Sequence, residues 1–190
     1  MSLLRKSLLV TTLMLVTLSS FANTRLDELK SRYFDAAREG NEVLLAAFYD
    51  AGLDVNVADE KGYTALILAA YHGHTDTVNF LISKANANPC QEDNRGNTAL
   101  MGAIFKGHVS VAKQLVFADC DIDEENEQGQ TALMFASLFD RQEIINTLID
   151  KGADTHHVDK SGNTVADIAL SQGNYELAKL LNTRASKDAE

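Results

Sequence analysis

The feature that most limits how this chain can fold is a motif that recurs every 33 or 34 residues. Four segments align: Gly62-Tyr63-Thr64-Ala65-Leu66, Gly96-Asn97-Thr98-Ala99-Leu100, Gly129-Gln130-Thr131-Ala132-Leu133 and Gly162-Asn163-Thr164-Val165-Ala166. A second series runs through Gly40-Asn41, Gly73-His74, Gly107-His108, Asp140-Arg141 and Gly173-Asn174. A third contains Gly52-Leu53-Asp54-Val55-Asn56 and Gly152-Ala153-Asp154-Thr155-His156. It has altered copies at Asn86-Ala87-Asn88-Pro89-Cys90 and Asp119-Cys120-Asp121-Ile122-Asp123. Three series in one phase describe a row of equivalent units, each too small to bury its apolar face alone.

Each unit reads as a pair of helices. Thr64, Thr98, Thr131 and Thr164 stand just before apolar runs, where a hydroxyl accepts from otherwise unpaired helix N–H groups. Leu66, Ala69 and Ala70, then Leu100, Ala103 and Ile104, follow at helical spacing. Gly73 and Gly107 are placed to end those helices in the left-handed conformation; Asp140 stands at the same point and tolerates it better than most residues. Second helices carry Val78, Leu81 and Ile82, then Val111, Leu115 and Val116, then Ile144, Ile145, Leu148 and Ile149. Pro89 is the only proline, so little in the chain opposes helix.

These motifs resemble the ankyrin repeat, over about Leu26 to Leu181. The resemblance implies an all-α solenoid of about five helix-turn-helix-loop repeats, with short β-hairpin-like loops projecting sideways. The repeats fall at about 26–58, 59–92, 93–125, 126–158 and 159–183 within a domain of 23–183, followed by a disordered tail at 184–190. One inserted residue near Ser83 to Asn86 explains the single spacing of 34. The family's usual threonine-proline-leucine-histidine opening is replaced by Thr64-Ala65-Leu66-Ile67, Thr98-Ala99-Leu100-Met101 and Thr131-Ala132-Leu133-Met134. Apolar contact through Ile67, Met101 and Met134 is expected in place of the histidine network. In the first cap, Leu26, Leu29, Phe34 and Ala37 are expected to face the stack; in the last, Tyr175, Leu177, Leu180 and Leu181.

The first 22 residues read as a secretory signal peptide. Arg5 and Lys6 precede the uncharged run Leu8 to Leu18, and Ser20-Phe21-Ala22 offers small residues for a cut after Ala22. The alternative is a retained membrane anchor. Loss of Arg5 and Lys6 leaves fifteen basic residues against 27 acidic ones, a net charge of −12. That charge disfavours nucleic acid and anionic lipid and suits solubility or a basic partner.

Chemistry-bearing motifs are sparse. His74 and His108 hold a repeat position, so a structural role is expected of them. His156-His157 have no cysteine or carboxylate at ligand spacing, and the acidic run Asp119 to Glu127 lacks the glycine of a calcium loop. No phosphate loop, nucleophile elbow or zinc-protease helix occurs. No metal, no cofactor and no enzymatic activity are therefore expected. Cys90 and Cys120 fall in neighbouring loops but at different positions within them, which favours free thiols over a disulfide.

The resemblance implies binding through loop tips and the exposed ends of the first helices. By position, the partner-binding residues are Lys61, Tyr63, Tyr71, Arg95, Phe105, Lys106, Glu127, Gln128, Leu138 and Phe139. Tyr71, Phe105, Leu138 and Phe139 either anchor a partner or pack beneath neighbouring loops. The expected function is that of a monomeric adaptor, periplasmic or secreted, that binds another protein. Alternatives are an immunity or inhibitor protein for an exported toxin, or support of periplasmic oxidative-stress defence.

Overall fold

A computed structural model describes residues 24–187, with side chains to residue 183. The signal-peptide reading of residues 1–22 lies outside the described residues. Helix α1 covers 24–39. It is followed by α2 (Glu42–Asp50), α3 (Ala65–His72), α4 (Thr75–Ser83), α5 (Ala99–Lys106), α6 (Val109–Val116), α7 (Ala132–Leu138), α8 (Gln142–Asp150), α9 (Val165–Ser171) and α10 (Tyr175–Lys187). These make five helix pairs. First helices α3, α5, α7 and α9 pack side by side, and second helices α2, α4, α6 and α8 form the layer behind them.

Local chemistry sets the helix ends. The hydroxyls of Thr64, Thr98, Thr131 and Thr164 each accept from the backbone N–H three residues on, satisfying one orphan donor per helix. At the other end Gly73 takes φ 81° and Gly107 φ 77°, while Asp140 takes φ 51°. Asn86, at the inserted residue, also turns left-handed with φ 61°, a conformation asparagine tolerates better than most side chains. The loops are turns rather than strands: among the described residues a single β-bridge joins Val158 and Thr164.

The core lies between the two layers. Ala65, Ala69, Ala99, Ala103, Ala132 and Ala136 are fully buried and let the first helices approach closely, while Leu66, Met101, Leu133, Met134, Ile144, Ile145 and Leu148 fill the space behind. Ile67, Met101 and Met134 are buried as expected.

The caps differ in detail from expectation. Leu26 and Leu29 are about half exposed, whereas Phe34 and Ala37 are buried as expected and are joined by Tyr33 and Ala36 in closing the first repeat. Tyr33 is the better plug because its ring buries a large area while its hydroxyl donates to the Val55 carbonyl at 3.0 Å. Burial pushes its phenol pKa well up. In the last repeat Tyr175 and Leu180 are exposed, and Leu177, Ala178 and Leu181 do the packing. Helix α10 continues to Lys187, past the start of the expected tail.

Polar ties run between repeats along three lines. His74 Nε2 bonds the Arg38 carbonyl at 2.7 Å and His108 Nε2 the Tyr71 carbonyl at 3.2 Å. Arg141 does the same from the irregular fourth repeat, donating to Ile104 and Phe105 carbonyls at 3.3 and 3.5 Å. These groups bond carbonyls in the last turns of helices, where backbone donors run out; the Ile104 carbonyl also accepts from Gly107 N–H at 3.0 Å. Gly73 is required twice over: a Cβ there would sit 2.6 Å from the His108 ring, besides suffering the positive φ. The second line joins the loop tips, Asn94 N–H to Lys61 O, Glu127 N–H to Arg95 O and Lys160 N–H to Gln128 O, at 2.9–3.0 Å.

The third line corrects the reading of the cysteines. Asn56 Oδ1 accepts from Asn88 N–H at 2.8 Å, and Asp123 Oδ1 from Asp154 N–H at 2.9 Å. In both pairs the fifth residue of one loop meets the third residue of the next, because successive loops are staggered by the slant of the stack. Cys90 is a fifth residue and Cys120 a second, so the stagger brings them together. Their Cα atoms are 5.4 Å apart, and they are joined as a disulfide, within the range such bonds require.

Candidate functional site

Each loop tip is held rigid by one side chain. The first residue of the turn, Asp59, Asp93, Asn126 or Asp159, accepts through Oδ1 from the N–H groups two and four residues later, at 2.8–3.0 Å. Burial opposes the charge of Asp159, but the hydrogen bonds from Asn163, Ser161 and Gly162 outweigh it and hold its pKa down. The recurring geometry leaves Lys61, Arg95, Glu127 and Gln128 exposed at the tips, with Tyr63 half-buried behind them.

The ends of the first helices lie beneath these tips. Tyr71 is 36% and Phe105 43% exposed, and Lys106 is exposed beside them. Their rings form a file: Tyr71 stacks on Phe105 with centroids 6.1 Å apart, and Phe105 meets Phe139 edge-on at 5.1 Å. Lys106 Nζ lies over the Tyr71 ring, 5.0 Å from its centroid, a favourable cation–π contact. Phe139 and Leu138 are half-buried, and Leu138 packs against the core. The structure therefore joins Tyr71, Phe105 and Phe139 into one surface, and gives Leu138 a share in packing.

Two cavities open between tips and helices. One, of about 970 Å³, lies over the first two repeats and is lined by Phe34, Arg38, Lys61, Tyr63, Tyr71 and His72 among others. The other, of about 340 Å³, lies between the second and fourth repeats, with Tyr63, Tyr71, Arg95, Phe105 and Gln128 in its walls. His72 stands near the basic side chains of Arg38, His74, Lys106 and His108. Burial, then His74, Arg38, Lys106 and His108, hold its pKa below the usual imidazole value. The sequence placed Tyr71 and Phe105 on this face and gave His74 and His108 a structural role, but not the continuation of their line through Arg141. The glycine-histidine spacing was the available signal.

A family model for ankyrin repeats, in three copies, matches residues 34–126 and 103–190. The chain is an ankyrin-repeat protein. It is 28% identical over 191 residues to the ankyrin repeat protein YahD of Escherichia coli (strain K12), covering 80% of this chain and 95% of that one. An ankyrin repeat-containing protein of Treponema pallidum (strain Nichols) is 31% identical over 153 residues, covering 80% of this chain and 48% of the relative. The human SH3 and multiple ankyrin repeat domains protein 2 is 27% identical over 153 residues, covering 80% and 8%. The chain thus spans nearly all of one relative and half or less of the others. Ankyrin repeats are in general non-enzymatic protein-interaction modules. Among the described residues no group of three or more histidine, cysteine or acidic side chains is placed to hold a metal ion, and no helix is long and apolar enough to cross a membrane.

Proposed function

We propose that this ankyrin-repeat protein is an exported, non-enzymatic adaptor that binds another protein across the groove formed by loop tips and first-helix ends. The carrying observation is the aromatic file Tyr71–Phe105–Phe139, which crosses three repeats, with Tyr71 and Phe105 exposed and Phe139 half-buried at its end. Rigid rings on a pre-formed surface offer contact area at small entropic cost, and an exposed apolar patch of this kind marks an interface. Lys61, Arg95 and Glu127 at the tips would then steer and orient the approach.

The test replaces Tyr71, Phe105 and Phe139 by serine and compares cross-linked partners in intact cells by mass spectrometry. The expected outcome is loss of the wild-type partner with the helical circular dichroism retained. A folded triple variant that keeps its partner places the interface elsewhere, and an unfolded one makes the rings core.

Export is supported by the leader pattern at residues 1–22 and by the Cys90–Cys120 bond, since such bonds persist in oxidising compartments. The intact mass of the mature protein should correspond to a chain beginning at Asn23. A mass that still includes Met1 to Ala22 rejects the cleaved leader.

A further inference from the structure

The fifth residue of each first-helix motif, counted from its capping threonine, is Leu68 in the second repeat, Phe135 in the fourth and Ile168 in the fifth. In the third repeat it is Gly102. Glycine within a helix is destabilising relative to alanine, because it frees the backbone in the unfolded chain and packs nothing. The fold gives no reason for it here. Gly102 lies inside α5 without a positive φ, and an added Cβ would meet only Tyr71, at 3.8 and 4.0 Å, an ordinary contact. No neighbouring backbone approaches it, in contrast to Gly62, where a Cβ would lie 2.6 Å from the Asn94 nitrogen.

The missing side chain leaves a pit. Gly102 lies in the wall of the 340 Å³ cavity, whose apolar lining includes Tyr71, Met101, Phe105 and Phe135. Two ionisable side chains, Asp93 and Arg95, border this cavity beside the tyrosines. Asp93 is spent inside its own loop, accepting from the N–H groups of Arg95 and Asn97 and from the Asn97 amide. The guanidinium of Arg95 makes no ion pair among the described residues. Beyond Tyr71 the helix ends carry Lys106 and the imidazoles of His72, His74 and His108.

We infer that the pit over Gly102 is a specificity pocket for a single leucine- or phenylalanine-sized side chain of a partner peptide, flanked by a carboxylate that pairs with Arg95. This rests on the groove-binding reading above and adds the chemistry of the bound segment. The apolar side chain replaces the one absent from the third repeat, completing the row Leu68–pit–Phe135. The carboxylate finds an arginine whose fork is unpaired, the geometry that favours bidentate recognition.

A displayed library of random dodecapeptides, selected on the folded mature chain, supplies the probe. Peptides joining a large apolar residue to a nearby aspartate or glutamate are expected to be enriched. Measured by fluorescence anisotropy, a selected peptide should lose roughly tenfold or more in affinity for Gly102→Leu and for Arg95→Gln. Gly102→Ala should lose less, and the melting temperatures of both Gly102 variants should equal or exceed wild type. Absence of enrichment, or enrichment of basic peptides, overturns the inference. So does a Gly102→Leu protein that melts lower, because the space would then belong to the fold. Peptides that ignore Gly102→Leu but are lost with Phe105→Ser sink the pocket and leave groove binding standing, while peptides indifferent to both sink both.

Discussion

Leu133→Ala is expected to cost about 2–5 kcal/mol of stability, while Gln130→Ala, three residues earlier, should change it by less than about 1 kcal/mol. Leu133 is fully buried in α7, the first helix of the fourth repeat, with α5 on one side and α9 on the other. Truncation removes the transfer energy of the lost carbons and leaves a cavity between rigid helices that cannot collapse onto it. In a linear array each repeat contacts its neighbours alone, so a defect there weakens two interfaces together. Gln130 instead accepts a long bond from the Asn126 amide, at 3.4 Å, and that amide keeps its 3.1 Å bond to Asn97. Urea titrations of the two variants provide the check; equal midpoints would contradict the repeat register.

What the sequence revealed was whatever repeats. The threonine caps, the left-handed glycines and Asp140, and the burial of Ile67, Met101 and Met134 follow from residues that recur in phase, each with a local physical reason. The misjudged features depend on how one repeat sits against the next. Leu26 and Leu29 stand seven and four residues before Tyr33 and so share its side of α1, but spacing does not say where the second repeat stops covering that helix; Tyr33, with both a large ring and a hydroxyl donor, takes the buried place. The His74–His108–Arg141 line joins side chains to carbonyls 36 or 37 residues back, and a substitution of arginine for histidine hides it from pattern matching. On the face formed by loop tips and first-helix ends, Tyr71 and Phe105 were legible as apolar residues at exposed repeat positions. The depression at Gly102 was not, because an absent side chain is visible only beside its filled neighbours.

Removing the Cys90–Cys120 bond is expected to destabilise the array by about 3–4 kcal/mol on the chain-entropy account for a loop of this length. The two residues are 30 apart, so the bond withdraws the freedom of nearly a whole repeat from the unfolded chain. The folded state should change little. The adjacent loop ties, Asn56 to Asn88 and Asp123 to Asp154, hold the same stagger without covalent help, and both cysteines are only partly buried. The loss should therefore appear chiefly as a lower unfolding midpoint with the circular dichroism of the folded protein preserved. Urea titration of the oxidised protein against a Cys90→Ser, Cys120→Ser variant measures it, and a reductant added to the wild type should move its midpoint towards that of the variant. Because the bond crosses from the second repeat to the third, its loss should also let the first two repeats unfold more independently, broadening the transition. An unchanged midpoint in the double variant would show that the staple contributes nothing to stability.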